Sequence, residues 1–465
     1  MTKEENDFRG KRVVIIGGGS GGTTAAFELR KLNKDIVITI IEQTKYTEYS
    51  PCALPYVIGR EIYAPEKIFI YKQEDYSDNN INLMLRTLVQ GIDTKQKIVR
   101  ILEEDRAVEI KYDYLIIATG AVPNVPKIKG IEFSKYMTLR TIDDAREIMS
   151  DRGRRVVIIG AGVIGLELVG VLSRDRQVTL IDSSKVLNAL LDNDMSEKVV
   201  QHLESAGVTI KEDTEIERFE EGKIFVNQDI LRYDSLIISA GMKPNTELAK
   251  EAGLKVSKGI VVDKSMRTTD KNIYACGDAV ESTSGINGKP VTSMLGSTAV
   301  KQAKIIAANI LGEEKEFLPV FTPTIFRTKD LMIGSTGITE EQAEKQGIKT
   351  VTATVTGSTK AEYYPFGKKI VLKMIADAEG NLLGAQVLGQ EDVAGKINTI
   401  TMALQKRATV DDLCGLETVY NPAIAPIFDP IVIAAEICRK KTVYLSSSKK
   451  KEKKFFLGFK KKKEK

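Results

Sequence analysis

Residues 12–22, RVVIIGGGSGG, and residues 155–165, RVVIIGAGVIG, are near-copies set 143 residues apart. Each is a run of β-branched residues ending on glycines, the pattern of a buried strand that turns sharply into a helix. Gly17, Gly19 and Gly22 in the first copy, and Gly160, Gly162 and Gly165 in the second, satisfy GxGxxG. That spacing has a physical purpose. The first glycine permits the tight turn, the second lets a pyrophosphate approach the backbone, and the third lets helix and strand pack closely. The helix start then offers unpaired N–H groups to the phosphates. An acid ends the next β-rich run in each half, Glu42 in DIVITIIE and Asp182 in QVTLID, where a carboxylate binds ribose hydroxyls.

Working outward, each half closes alike, with YDYLIIATGAVPN at 112–124 and YDSLIISAGMKPN at 233–245, the latter carrying Gly241. This is βαβ logic carried out twice, so the fold class is α/β with two Rossmann-like dinucleotide-binding domains. A third region from about Pro319–Pro323 groups the strand-like runs TVTATVTG, KIVLKMIAD and LLGAQVLG with helix-like DVAGKINTITMALQKR and FDPIVIAAEICRK. That mixture indicates an α+β domain. Two dinucleotide folds in one chain imply one bound flavin and one exchangeable nicotinamide. Asp182 would repel a 2′-phosphate and favours NADH, while Ser183, Ser184 and Lys185 leave NADPH open.

The formal charge of +5 on 465 residues invites a nucleic-acid reading, but its distribution removes it. The last twenty residues, SSSKKKEKKFFLGFKKKKEK, hold ten Lys and two Glu, which leaves residues 1–445 at −3. The tail is expected to be disordered, with weak membrane contact open to it through FFLGF and its flanking lysines. No uncharged apolar run reaches the ~18–20 residues a membrane helix needs, and MTKEENDFRGKR does not read as a secretory signal. Cys52, Cys276, Cys414 and Cys438 form no CxxC pair, which fits a reducing, cytoplasmic setting and argues against thiolate metal sites. The single His202, in an amphipathic helix-like stretch, excludes clustered-His metal sites and reads as a surface or capping residue.

The glycine loops together with ATG (Ala118, Thr119, Gly120), IYACGDAVE (273–281) and LGSTAVKQA (295–303) resemble the FAD-dependent pyridine nucleotide–disulfide oxidoreductases across residues 11–445. The resemblance implies an FAD-binding domain from residues 1–121 and 245–320, an NAD(P)-binding domain at 122–244, and a C-terminal dimerisation domain at 321–445, hence a homodimer. It also assigns Gly277 and Asp278 to the flavin site, with Asp278 on the ribitol, and residues 295–303 to the surroundings of the isoalloxazine.

The onward electron path turns on Cys52, in TEYSPCALPYVIG. A thiol at a helix start after Pro51 has a lowered pKa, ~3.5–7.5 in reactive cases, whereas a free Cys elsewhere is most often a small buried hydrophobe. Local sequence leaves both readings open. CALPYVIG is similar to the single-cysteine branch of the family, the coenzyme A-disulfide reductases, NADH oxidases and sulfur reductases, in which that Cys faces the flavin. Asn421, in VYNPAIAP, stands where two-cysteine members carry a catalytic His. The remaining cysteines read as packing residues.

Departures from the branch limit the substrate assignment. Glu48 and Pro51 replace a Ser and an Asn before the cysteine, and a Pro there is closer to the polysulfide-reducing relatives. Of two tyrosines that the resemblance draws from the partner subunit, AEYYPFG supplies Tyr363 or Tyr364. YNPAI keeps Tyr420 but has Ile424 at the second tyrosine position. Arg30 and Lys31 match basic positions near the coenzyme A phosphates. The expected activity is NAD(P)H-driven reduction of coenzyme A disulfide, persulfide or polysulfide through Cys52. An NADH oxidase forming a cysteine sulfenic acid is the nearest rival, and a tail-docked quinone reductase a further one.

Overall fold

The computed structural model describes residues 8–103, 106–227 and 229–445, so the expectations for the Lys-rich tail lie outside the described residues. The chain divides into two compact units. One comprises residues 1–127, 135–152 and 236–320, and the other residues 128–134, 153–235 and 321–465.

The first unit is built on a five-stranded parallel sheet in the order Ile273–Ala275, Tyr114–Ile117, Arg12–Ile16, Val37–Ile41, Ile81–Met84. Val13, Val14 and Ile15 are almost wholly buried, with no alternation between faces, because helices cover both sides of a parallel sheet. The Ser20–Leu32 and Gly296–Ile310 helices belong to this unit and pack on one another. Leu29 and Ala25 of the first, and Ala303 and Ile306 of the second, enter the same core. The ATGAVP turn continues into Ala121–Pro123, which pairs antiparallel with Met242–Pro244.

The second unit carries the other glycine repeat. Arg155–Ile159 pairs with Gln177–Ile181, and that strand with Thr209–Lys211, all parallel. The Val163–Leu172 helix follows the glycines as Ser20–Leu32 does in the first unit. The same unit holds a five-stranded antiparallel sheet, in the order Thr324–Thr328, Leu331–Gly337, Leu382–Gly389, Lys369–Asp377, Thr350–Ser358. Its last three strands are the runs expected from sequence. The first two, around the Lys329–Asp330 turn, carry no comparable apolar run. The Val393–Gln405 helix packs on this sheet, and a C-terminal helix spans 430–445. Among the described residues no helix is long and apolar enough to cross a membrane.

Candidate active site

At the first glycine loop the backbone shows why glycine is required. Gly17 has φ +104°, and a Cβ there would lie 2.3 Å from the Ala118 carbonyl oxygen. A Cβ on Gly22 would lie 1.9 Å from the Gly17 carbonyl oxygen. By contrast a Cβ on Gly19 would meet nothing within 4 Å, so the loop keeps an open face at the start of the Ser20–Leu32 helix. No side chain caps that helix. The second loop repeats the arrangement, with Gly160 at φ +109°, Gly162 open to 4 Å, Gly165 buried in the first helical turn and no side-chain cap. Each loop is closed where backbones touch and open at its second glycine, a shape into which a pyrophosphate fits.

The two acids are held alike. Glu42 accepts from the Gly18 and Thr44 N–H groups, both at 2.7 Å. Asp182 accepts from the Ala161 N–H at 2.7 Å and from the Ser184 N–H at 2.8 Å. Each carboxylate is thus fixed beside its glycine loop, with acceptor capacity left for ribose hydroxyls.

Other cofactor-site candidates lie in the same unit as the first loop. The Ala118 N–H bonds the Ile16 carbonyl at 2.8 Å, and the Thr119 hydroxyl donates to the Asn245 carbonyl at 2.7 Å. Gly120 and Gly241 both have positive φ, and the chain approaches itself there through Asn245 N–H to Gly120 O and Asn124 N–H to Gly241 O, each 2.9 Å. The Gly277 N–H donates to the buried Gln302 side chain at 2.8 Å. Burial pushes the neighbouring Asp278 carboxyl up, and the charge of Arg140 opposes it. Cys276 packs under the loop: a Cβ on Gly21 would touch its sulfur at 3.0 Å, and burial pushes its thiol up to about 12.

Arg140 escaped the sequence reading. Its Nε donates to the Ala121 carbonyl at 3.2 Å, and its guanidinium lies where a Cβ on Gly120 would come within 3.2 Å of it. The available signal was local. Thr141 and Asp144 form a capping box on the Ile142–Ser150 helix, and Asp144 also accepts the Arg140 N–H, which fixes the residue just before the helix.

Cys52 is exposed, and alone among the four cysteines in being so. It lies in a 3₁₀ turn, Pro51–Ala53, with Pro51 at its first position, leading into the Leu54–Ile58 helix. The preceding segment is pinned by the Ser50 N–H to Ile68 O bond at 3.0 Å and the Ile70 N–H to Glu48 O bond at 2.9 Å. Glu48, where the branch carries a Ser, is buried, and burial pushes its carboxyl up while a hydrogen bond from Ser20 opposes this. Burial likewise pushes Tyr49 up to about 12.

In the second unit the Tyr363 and Tyr420 hydroxyls meet at 2.8 Å on an exposed surface. Tyr364 lies beneath the Lys360 ammonium, which is 5.8 Å from the ring centroid. One basic position is corrected. Arg30, expected near coenzyme A phosphates, is buried and donates to five backbone carbonyls, those of Asn33, Lys34, Ile36, Asn79 and Asn80. Its guanidinium is consumed in joining the helix end to the loop before Ile81; Lys31 is exposed.

Two glycine cradles with their acids define an oxidoreductase that handles two dinucleotides. The chain belongs to the pyridine nucleotide-disulphide oxidoreductase family: residues 11–303 match that family, and residues 323–429 its dimerisation domain. The family pairs FAD with NAD(P)H, and the residues above fit both groups. A Methanocaldococcus jannaschii protein described as an NADH oxidase is 37% identical over 444 residues, covering 92% of this chain and 99% of that protein. A Pyrococcus horikoshii NAD(P)H coenzyme A polysulfide/persulfide reductase is 33% identical, covering 92% and 98%. The solved structure of an NAD-dependent persulfide reductase from A. fulgidus superposes with a TM-score of 0.90 at 34% identity, over 93% of this chain and 84% of that one.

The tightest backbone approach gives a direct expectation. Gly22→Ala places its methyl against the Gly17 carbonyl, an atom that cannot move without opening the loop. The purified variant is expected to lack flavin absorbance, and an unchanged flavin content would show that the cradle is not closed there.

Proposed function

We propose that the chain is a homodimeric, cytoplasmic FAD enzyme that oxidises NAD(P)H, NADH by preference, and reduces coenzyme A disulfide, coenzyme A persulfide or polysulfide at Cys52. The observation that carries this is the exposure of Cys52 alone among the four cysteines, on a turn braced by Pro51, in a chain related to coenzyme A-dependent sulfur reductases. The same proposal assigns residues 1–121 and 245–320 to flavin binding, 122–244 to the nicotinamide and 321–445 to the dimer.

The Gly17–Gly22 loop, Glu42, Ala118–Gly120, Gly277, Asp278 and Arg140 would hold the FAD, and Gly160–Gly165 with Asp182 would hold the nicotinamide cofactor. When bound, the flavin relays two electrons from NAD(P)H to sulfur. The Cys52 thiolate attacks one sulfur of the substrate disulfide, forms a mixed disulfide and releases one thiolate; two electrons from NAD(P)H would then cleave that mixed disulfide, releasing the second thiolate and regenerating the Cys52 thiolate. Tyr363 and Tyr420, supplied across the dimer, donate a proton to the departing thiolate. Their mutual hydrogen bond raises the Tyr420 pKa.

The Methanocaldococcus relative supports a second reading, reduction of O₂ through a Cys52 sulfenic acid. Intact-mass measurement of the native, oxidised protein separates the two. A coenzyme A adduct that is lost on reduction and absent from Cys52→Ser supports the sulfur reductase. A single-oxygen adduct at Cys52 supports the oxidase, and an unmodified Cys52 under both conditions overturns its redox role.

A further inference from the structure

A cavity of about 720 Å³ opens in the second unit at the edge of the parallel sheet away from the Gly160 loop. Arg154 and Arg155 stand where the Arg155–Ile159 strand begins, whereas Gly160 follows its far end. Arg174 and Arg176 stand in the turn between the Val163–Leu172 helix and the Gln177–Ile181 strand. A five-residue strand is ~16 Å long, so this rim is distinct from the cofactor edge, where ligands of open α/β sheets ordinarily bind.

The lining is unlike ordinary surface. Four arginines and no lysine border the cavity, in a chain where lysines outnumber arginines. Guanidinium rather than ammonium is the group suited to bidentate contact with phosphate. Asp175 and Asp234 are the only carboxylates, which leaves a net +2 within a body that carries −3. Asp234 is already committed. It accepts from the Arg154 and Arg155 N–H groups and from the Arg155 guanidinium, which pulls its carboxyl down to about 2. That pairing also fixes Arg155 in place. The helix end accounts for cations at Arg174 and Arg176, but not for the two on the strand. Ser173 and Gln177 complete a wall without any aliphatic or aromatic side chain. The depression is open to solvent, with Arg154, Arg155 and Arg174 exposed, and nothing in it would hold an apolar body.

We propose that this cavity binds a compact polyphosphate anion, a diphosphate or triphosphate group with no large apolar moiety. The probe is inorganic tripolyphosphate, titrated by calorimetry into the full-length, flavin-loaded protein. Saturating NAD⁺ is present, so that the Gly160 loop cannot be the site of binding. One ion per chain is expected, with affinity that falls as salt rises. The Arg154→Gln/Arg174→Gln/Arg176→Gln variant is expected to weaken it about tenfold or more, since three charge-assisted donors are lost, while NAD⁺ affinity stays within about twofold. Arg154→Gln alone, which keeps the backbone bond to Asp234, is expected to give a smaller loss in a chain that melts as the unaltered protein does. Absence of saturable binding, equal binding by the triple variant, or equal affinity for citrate would each overturn the proposal.

Discussion

Cys52→Ser is expected to abolish disulfide turnover, by on the order of 10³-fold or more, while the protein still binds FAD and NADH still bleaches it. The size of the effect follows from what remains. Ser keeps the shape of the Pro51–Ala53 turn but is neither a comparable nucleophile nor able to form a disulfide. No other thiol can take over, because burial pushes Cys276 and Cys438 up to about 12 and also raises Cys414. The proposed flavin cradle should be untouched, since it is built from Gly17, Ala118, Gly277 and Arg140 rather than from residue 52. Stopped-flow reduction by NADH followed by steady-state assay with coenzyme A disulfide separates the two halves of the reaction. Rapid flavin reduction with no second half-reaction is the expected pattern. Undiminished turnover would remove Cys52 from the electron path, and loss of flavin would make it a structural residue.

What could be read in the sequence was what is encoded locally. Each glycine loop and its acid lie close in sequence, 25 residues from Gly17 to Glu42 and 22 from Gly160 to Asp182, and each residue type answers to a contact inside that span. Three of the five strands of the antiparallel sheet, at 350–358, 369–377 and 382–389, were legible as apolar runs for the same reason. Arg30 shows the limit. A basic residue at a helix end is compatible with binding a phosphate or with bonding carbonyls, and only the return of the chain at Asn79 and Asn80 decides for the carbonyls. Tyr363 and Tyr420 are 57 residues apart, and YY in the sequence left open which tyrosine pairs; the fold brings Tyr363 to Tyr420. Asp330, the partner of His202 at 2.9 Å, lies 128 residues away in a turn with no apolar signature. Lys373 carried a signal of its own, a cation in the middle of the apolar run IVLKMIA.

That lysine is the basis of the largest stability effect expected. Lys373 is almost wholly buried, and its ammonium lies 3.2 Å from Asp192, 2.8 Å from Asp194 and 2.8 Å from Glu340. Asp192 is itself buried and also accepts from the Gln386 side chain at 2.6 Å. The cluster ties the start of the Asn193–Ser205 helix to the antiparallel sheet within one unit. Lys373→Met removes the only cation and strands three carboxylates. Breaking a buried pair from one side costs about 3–5 kcal/mol, and the partial exposure of Asp194 and Glu340 places this case near about 3 kcal/mol. The pH dependence has a definite sign. These carboxylates, outweighing desolvation, hold the Lys373 pKa above its usual value, so its contribution is complete below about 10.4 and is lost as pH rises through the folded value. The stability gap between the two proteins in urea unfolding should therefore be flat from neutral pH to mildly alkaline pH and close only above that range. Adding Asp192→Asn to Lys373→Met should recover part of the loss, because one stranded charge is then removed. If the double variant is no more stable than the single one, Asp192 is held by Gln386 and the backbone alone, and the lysine acts through Asp194 and Glu340.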